Sequence, residues 1–129
     1  MATQNHSLNF LSSIAQFVYV VIAVDGTVRE EEERKLLELF DTIWKAPKIF
    51  TDSEIEHIIR MYLQFKKEES STELCFENFI EFKNNNESLF SDEIKSILWE
   101  TACVVTSEVN NKNKSELIFL VKLERELKK

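Results

Sequence analysis

Glycine and proline are almost missing from this chain, which has one glycine, Gly26, and one proline, Pro47, among 129 residues. An average chain of this length carries roughly nine glycines and six prolines. All-β proteins need many tight turns built from these residues, and α/β nucleotide-binding folds usually need glycine-rich phosphate loops. Helices need neither residue. The sequence therefore predicts an all-α protein.

Apolar residues recur at helical spacing along most of the chain. With 43% hydrophobic and 30% charged residues, the chain has enough apolar side chains for one core. No linker is long enough to separate two domains, so we expect residues 1–129 to form a single compact bundle of about six helices. The predicted helices begin near Leu8, Thr27, Thr51, Thr72 and Ser91 and directly after Asn113.

Two expectations concern the ends of helices. Thr27 followed by Glu30 has the spacing of a capping box, in which the two side chains accept hydrogen bonds from otherwise free backbone N–H groups. The second helix should start there and stop at Ala46, because Pro47 follows. His6 should lie in a frayed N-terminal segment.

The two ends of the chain resemble each other when the sequence is shifted by 81 residues, which places Leu117 on Leu36 and Val121 on Phe40. Each matched segment contains a helix, a turn and a helix. We therefore expect two quasi-repeated helix-turn-helix units whose apolar stripes pack together. In this alignment Thr106 takes the place of Asp25, so the acidic turn of the first unit has no counterpart in the second.

Charge and hydropathy limit the environment and the partners. A net charge of -7 argues against a nucleic-acid partner, because phosphate binding relies on clustered lysine and arginine. The longest apolar run, Phe17 to Val24, is too short to span a membrane, and the N-terminus has no signal-peptide pattern. Cys75 and Cys103 are isolated in apolar surroundings. These features predict a cytoplasmic protein without a membrane span.

Catalytic motifs are missing. The chain has two histidines, His6 and His57, and neither has an obvious nucleophile or metal partner nearby in the sequence. There is no HExxH motif, no serine elbow and no glycine-rich loop. We therefore predict that the protein is not an enzyme. An enzyme with a pocket that sequence does not reveal is the alternative from a different class.

The turn Asp25-Gly26-Thr27-Val28, followed by the four glutamates Glu30–Glu33, is the most informative local feature. It is similar to the second half of an EF-hand calcium loop. In the first half, however, Val21 and Ala23 would occupy the first two ligand positions, and they have no side-chain oxygen. A full EF-hand cage is therefore excluded.

Two interpretations of this turn remain open. In the first, Gly26 adopts a positive φ that ends the first helix, Asp25 bonds locally, and the glutamates complement the helix dipole. In the second, Asp25 and Glu32, with Glu31 as a further ligand, bind a divalent cation whose shell is completed by water.

The segment from Ile22 to Val28, with Glu32 and the Leu36-Leu37 pair after it, resembles the signature of the tellurite-resistance TerB-like family. In that family a hydrophobic helix ends in an Asp-Gly turn, and a glutamate follows in the next helix. The resemblance covers Ile14 to Trp44 well and Leu98 to Leu127 loosely.

This resemblance implies a bacterial, cytoplasmic, all-helical bundle with an acidic surface that binds divalent metal and with no catalytic activity. Asp25 and Glu32 match the acidic positions of the family. Arg29 departs from the pattern, because the family often has a helix-capping serine or threonine there.

The leading hypothesis is a non-enzymatic TerB-like binding module in a stress-related setting. It would bind a protein partner, or a divalent cation through Asp25, Glu32 and Glu31, and no other cofactor is expected. The alternative is a structural or homo-oligomerising bundle in which the acidic turn only caps a helix.

Overall fold

Six α-helices and one short 3-10 turn make up the protein in a computed structural model that describes residues 6–24, 26, 28–106 and 114–128. No strand occurs in these ranges, so the prediction of a single all-α bundle of six helices is confirmed. None of the described helices combines the length and the apolar character that a membrane crossing requires. The elements are α1 (Leu8–Ala23), α2 (Glu30–Asp41), α3 (Asp52–Lys67), α4 (Thr72–Asn85), the 3-10 turn Glu87–Leu89, α5 (Asp92–Thr106) and α6 (Lys114–Leu127).

Helix α1 is the centre of the bundle. Apolar residues cover nearly all of its circumference, so it can be stable only when other helices surround it. It packs most extensively against α3 and α4 and also contacts α5. Ser7 caps its start by accepting a hydrogen bond from the Phe10 N–H at 3.1 Å. The β-branched stretch at the end of α1 is helical because every face of it is buried.

Helix α2 is shorter than the sequence suggested. It begins at Glu30, with Arg29 in the N-cap position, so the expected start at a Thr27–Glu30 capping box is wrong; Thr27 itself lies outside the described residues. It ends at Asp41 and not at Ala46. The hydroxyl of Thr42 donates to the Glu38 carbonyl at 3.0 Å, and the backbone there leaves the helical region.

This early end lets Trp44 turn into the core. Trp44 is fully buried, and its indole N–H donates to the Thr101 hydroxyl on α5 at 3.0 Å. Its ring lies 4.9 Å from that of Phe40 and 5.4 Å from that of Phe50.

The N-terminal segment is anchored at His6, contrary to the expectation of fraying there. The His6 backbone N–H donates to Glu54 Oε2 at 2.6 Å, and its ring nitrogen Nδ1 lies 3.2 Å from the same carboxylate. The ring also packs on Phe10 and Phe50. Glu54 belongs to the capping box that Thr51 forms at the start of α3, so one carboxylate holds two segments.

The expected 81-residue alignment of the two helix-turn-helix units is wrong in register. It pairs Leu36, which is fully buried, with Leu117, which is 51% exposed, and it pairs buried Phe40 with Val121, which is 58% exposed. Residues that repeat a structural role should share their burial. The alignment therefore matches the inner face of α2 with the outer face of α6.

An offset of 84 residues matches the starts of both helices of each unit, Leu8 with Asp92 and Glu30 with Lys114, although it pairs buried Phe40 with exposed Glu124. Ser7 and Ser91 (91 − 7 = 84) both cap their helices through the side-chain oxygen. Glu32 and Glu116 (116 − 32 = 84) are both buried acids in the first turn of the second helix of each unit. Offsets of 81 and 84 differ by nearly one helical turn, so both align apolar stripes in the sequence.

Candidate functional site

The turn after α1 contains Gly26 in a left-handed conformation. Its φ is 92°, and its N–H donates to the Ala23 carbonyl at 2.9 Å, which confirms that this glycine ends the first helix. A Cβ atom at this position would meet nothing within 4 Å. Glycine is therefore required here by backbone conformation and not by lack of space. Asp25, the first of the predicted metal ligands, lies outside the described residues.

The four glutamates Glu30–Glu33 occupy the first turn of α2, where their charge complements the helix dipole. The structure separates two of the predicted ligands: Glu31 is exposed, whereas Glu32 is fully buried. Among the described ranges, no three histidine, cysteine or acidic side chains come together as a set of metal ligands.

Glu33 makes contacts that the sequence did not suggest. Its Oε2 accepts a hydrogen bond from the Tyr62 hydroxyl at 2.6 Å and another from Lys66 Nζ at 2.9 Å, both from α3. Burial alone would raise the pKa of this carboxyl group, but the two hydrogen bonds and the charge of Lys66 outweigh burial and lower it. Glu33 therefore joins α2 to α3 and acts as a structural acid.

Both tyrosines of the chain lie beside this junction. The Tyr62 ring is 6.5 Å from that of Tyr19, whose hydroxyl donates to the Ser70 carbonyl at 2.7 Å. Burial, followed by the charge and hydrogen bond of Glu33, raises the pKa of Tyr62 well above its ordinary value. Burial also raises the pKa of Tyr19. Neither phenol is prepared to ionise and act as a base near neutral pH.

A second candidate site is an open groove of about 1030 Å³ between α4 and α6, with the end of α1 beneath it. It is far larger than the space left by imperfect packing, and its floor is apolar. The apolar lining residues are Val20, Val24, Phe76, Ile80, Ile118 and Phe119.

The α4 wall of this groove is acidic. Glu73, Glu77 and Glu81 follow one another at intervals of one helical turn and all line the groove. Each is exposed, and none of the three takes part in a salt bridge or hydrogen bond with the described residues. Lys122 lines the opposite wall on α6 and makes no ion pair across the groove either. No ion pair with a described residue therefore neutralises the acidic wall.

Helix α6 carries an outer face that continues from the groove. Its inner face is buried by Phe119, Leu123 and Leu127, while three apolar side chains on the opposite side are 45–58% exposed. Two exposed cations, both without an ion pair among the described residues, flank them at the start and toward the end of the helix. This outer stripe consists of Lys114, Leu117, Ile118, Val121 and Arg125.

The groove was not identified in the sequence. The aromatic residues of α4 pack against the rest of the bundle: Phe79 is buried, and Phe76 lies against Phe119 with ring centroids 5.6 Å apart. The signal that pointed to a surface was the run of glutamates at positions 73, 77 and 81. A run with this spacing marks one face of a helix, but sequence alone does not reveal the apolar floor beside it.

Comparisons of the chain with protein-family models, with curated proteins and with solved structures found no match.

Proposed function

We propose that this protein is a non-enzymatic helical binding module that holds an amphipathic helix of a protein partner in the groove between α4 and α6. The observation that carries the proposal is the combination of apolar lining residues with an acidic wall whose three glutamates have no partner among the described residues. Helix-in-groove recognition uses this pattern: apolar side chains of the partner fill the floor, and its flanking charges meet the rim.

Charge selects the kind of helix. Glu73 and Glu81 are eight residues apart, which corresponds to about 12 Å along α4. A partner with lysine or arginine spaced over about two helical turns can meet the whole row. The resemblance to the TerB-like family supports the same class of function, which is binding without catalysis in a stress-related setting.

The test uses a fluorescein-labelled 18-residue peptide with leucines at every third or fourth position and lysines along one flank. Fluorescence anisotropy should show saturable binding, and an isomer with glutamates in place of the lysines should bind far more weakly. Ile118→Asp, on the groove wall, should weaken binding about tenfold or more, which corresponds to about 1.4 kcal/mol. The matched control is Leu63→Asp on α3, because Leu63 is equally exposed but lies outside the groove. Equal binding by both variants, or no saturation, would overturn the proposal.

A second candidate function is binding of a divalent cation by Asp25, Glu32 and Glu31. One observation favours it: the Glu32 side chain is fully buried in the first turn of α2, and buried charges in proteins are paired or coordinate a metal ion. Calorimetric titration with Mg²⁺, Mn²⁺, Ca²⁺ or Zn²⁺ tests it. Saturable heats that disappear in Asp25→Ala and Glu32→Ala, but persist in the control Glu30→Ala, are expected. Identical heats for all variants would eliminate this candidate.

A further inference from the structure

We propose that the helix held by the groove is α6 of a second copy of this chain, so that the protein forms a two-fold symmetric dimer. This inference rests on the proposed function of the groove, and it names the occupant. The surface of one copy contains both halves of the required interface, namely the groove and a stripe that fits it.

The stripe and the groove match in shape. The stripe of Leu117, Ile118 and Val121 presents three exposed apolar side chains on one side of α6, opposite the buried face. Ile118 belongs both to this stripe and to the lining of the groove, so the two surfaces are continuous. A contiguous apolar surface of this kind on a monomer marks an interaction site.

The stripe and the groove also match in charge. Lys114 and Arg125 bound the apolar stripe and lie about 16 Å apart along the helix axis. Both are exposed and form no ion pair with the described residues. The acidic row of α4 spans about 12 Å, which long lysine and arginine side chains can meet from these two ends. Although the chain has a net charge of -7, two of its exposed cations therefore lie next to the stripe that would enter the acidic groove.

Symmetry makes the two halves compatible. In a two-fold dimer every contact occurs twice, so α6 of each copy lies between α4 and α6 of the other. The helices then follow the order α4, second-copy α6, α6 and second-copy α4 across the interface. Both acidic rows and both basic stripes then lie within the interface, and neither groove is left empty. A head-to-tail contact would leave one groove and one stripe exposed at the ends.

The experiment is sedimentation velocity over protein concentrations from about 5 to 500 µM. We expect the wild-type chain to change from monomer to dimer in this range. Glu77→Lys with Glu81→Lys should abolish the dimer, and so should Lys114→Glu with Arg125→Glu. An equimolar mixture of these two double variants should restore a dimer, because in the mixed pair each groove meets a stripe of the opposite charge.

Matched controls change the net charge equally at other exposed sites. Glu93→Lys with Glu100→Lys on α5 matches the acidic double variant, and Lys48→Glu with Lys67→Glu matches the basic one. Both controls should dimerise like the wild type, and circular dichroism should show an unchanged helix content for all four.

Two results would overturn the inference: a monomer at every concentration, or a dimer that neither double variant disturbs. The failure of the inference is distinguishable from that of the proposed function. The Lys114→Glu/Arg125→Glu variant keeps its groove, and binding of the lysine-flanked peptide to it measures groove function without self-association.

Discussion

The hydroxyl of Tyr62 and the carboxylate of Glu33 form a 2.6 Å hydrogen bond that joins the middle of α3 to the first turn of α2. Glu33 also accepts from Lys66, so two donors on one helix hold a single acid on the other. Glu33, the last of the four consecutive glutamates, therefore has a structural role, because its side chain connects two helices. The acidic appearance of Glu30–Glu33 therefore has at least two physical origins, namely helix-dipole complementarity and tertiary hydrogen bonding.

Removal of the Tyr62 hydroxyl should destabilise the protein. Tyr62→Phe deletes a hydrogen bond to a charged group while Lys66 still neutralises Glu33, so we expect a loss of about 1.5 kcal/mol in the free energy of unfolding. Tyr19→Phe is the comparison variant, because its hydroxyl donates to a neutral carbonyl and should cost less, about 1 kcal/mol. Urea unfolding at pH 7 measures both. A Tyr62→Phe protein as stable as the wild type would contradict the role assigned to this bond.

Acid should weaken the junction at Glu33. Its folded-state pKa is lower than its unfolded value near 4.5, so the unfolded state takes up protons first as the pH falls. The stabilisation is complete above the unfolded pKa and is lost as the pH falls through the folded pKa. Urea unfolding between pH 6 and pH 3 should show this decline, and Glu33→Gln should flatten it. Exposed Glu31→Gln is the control and should retain the wild-type slope; equal slopes for both variants would exclude Glu33 as the cause.

At alkaline pH, both tyrosines should ionise at a higher pH in the folded protein than in the unfolded chain. They are the only tyrosines in the chain, and the pKa of each is raised above 10 in the folded state. The stabilisation that each provides is therefore present below the unfolded pKa and is lost as the pH rises toward the folded value. Absorbance at 295 nm should show less tyrosinate at pH 10 in native protein than in urea, where both groups should titrate normally. Equal tyrosinate absorbance in the native and unfolded protein would refute the burial and bonding described here.

Some features of this fold could be predicted from the sequence, and others could not. Helix content was predictable because a chain with one glycine and one proline has few means to build tight turns. The positive φ of Gly26 was predictable for the related reason that the only glycine stands where an apolar helix stops. The hydrogen bond of Trp44 was not predictable, because its acceptor Thr101 is 57 residues away.

The register of the two helix-turn-helix units illustrates the same limit. Leu36 and Leu117 are the same residue type but differ in burial. The sequence suggested this pairing because an amphipathic helix shifted by about one turn presents the same apolar pattern. Burial, which sequence does not record, identifies Glu116 as the counterpart of Glu32. The candidate groove was likewise hidden: the Glu73 to Glu81 row is visible in the sequence, but its apolar neighbours on α1 and α6 meet it only in the fold.

Gly26 should resist replacement even though space is available. Gly26→Ala forces an L-residue to keep a φ of 92°, and we expect it to lose about 1–2 kcal/mol in the free energy of unfolding. Gly26→Asn should lose less, since asparagine tolerates left-handed backbone better than alanine. Thermal or urea unfolding of the three proteins gives the order glycine, asparagine, alanine. If alanine were tolerated without loss, the turn would have to adopt a different backbone conformation.

The bond between Trp44 and Thr101 should be measurable as a coupling energy. Thr101→Val keeps the shape of the side chain but leaves the buried indole N–H without its acceptor, which should cost about 1–3 kcal/mol. In a Trp44→Phe background there is no indole N–H to lose its acceptor. Thr101→Val should therefore change the free energy of unfolding very little. A double-mutant cycle by urea unfolding isolates this difference from the packing lost with the indole ring. Additive costs would contradict a hydrogen bond between the two side chains, whereas a coupling of about 1 kcal/mol or more would support it.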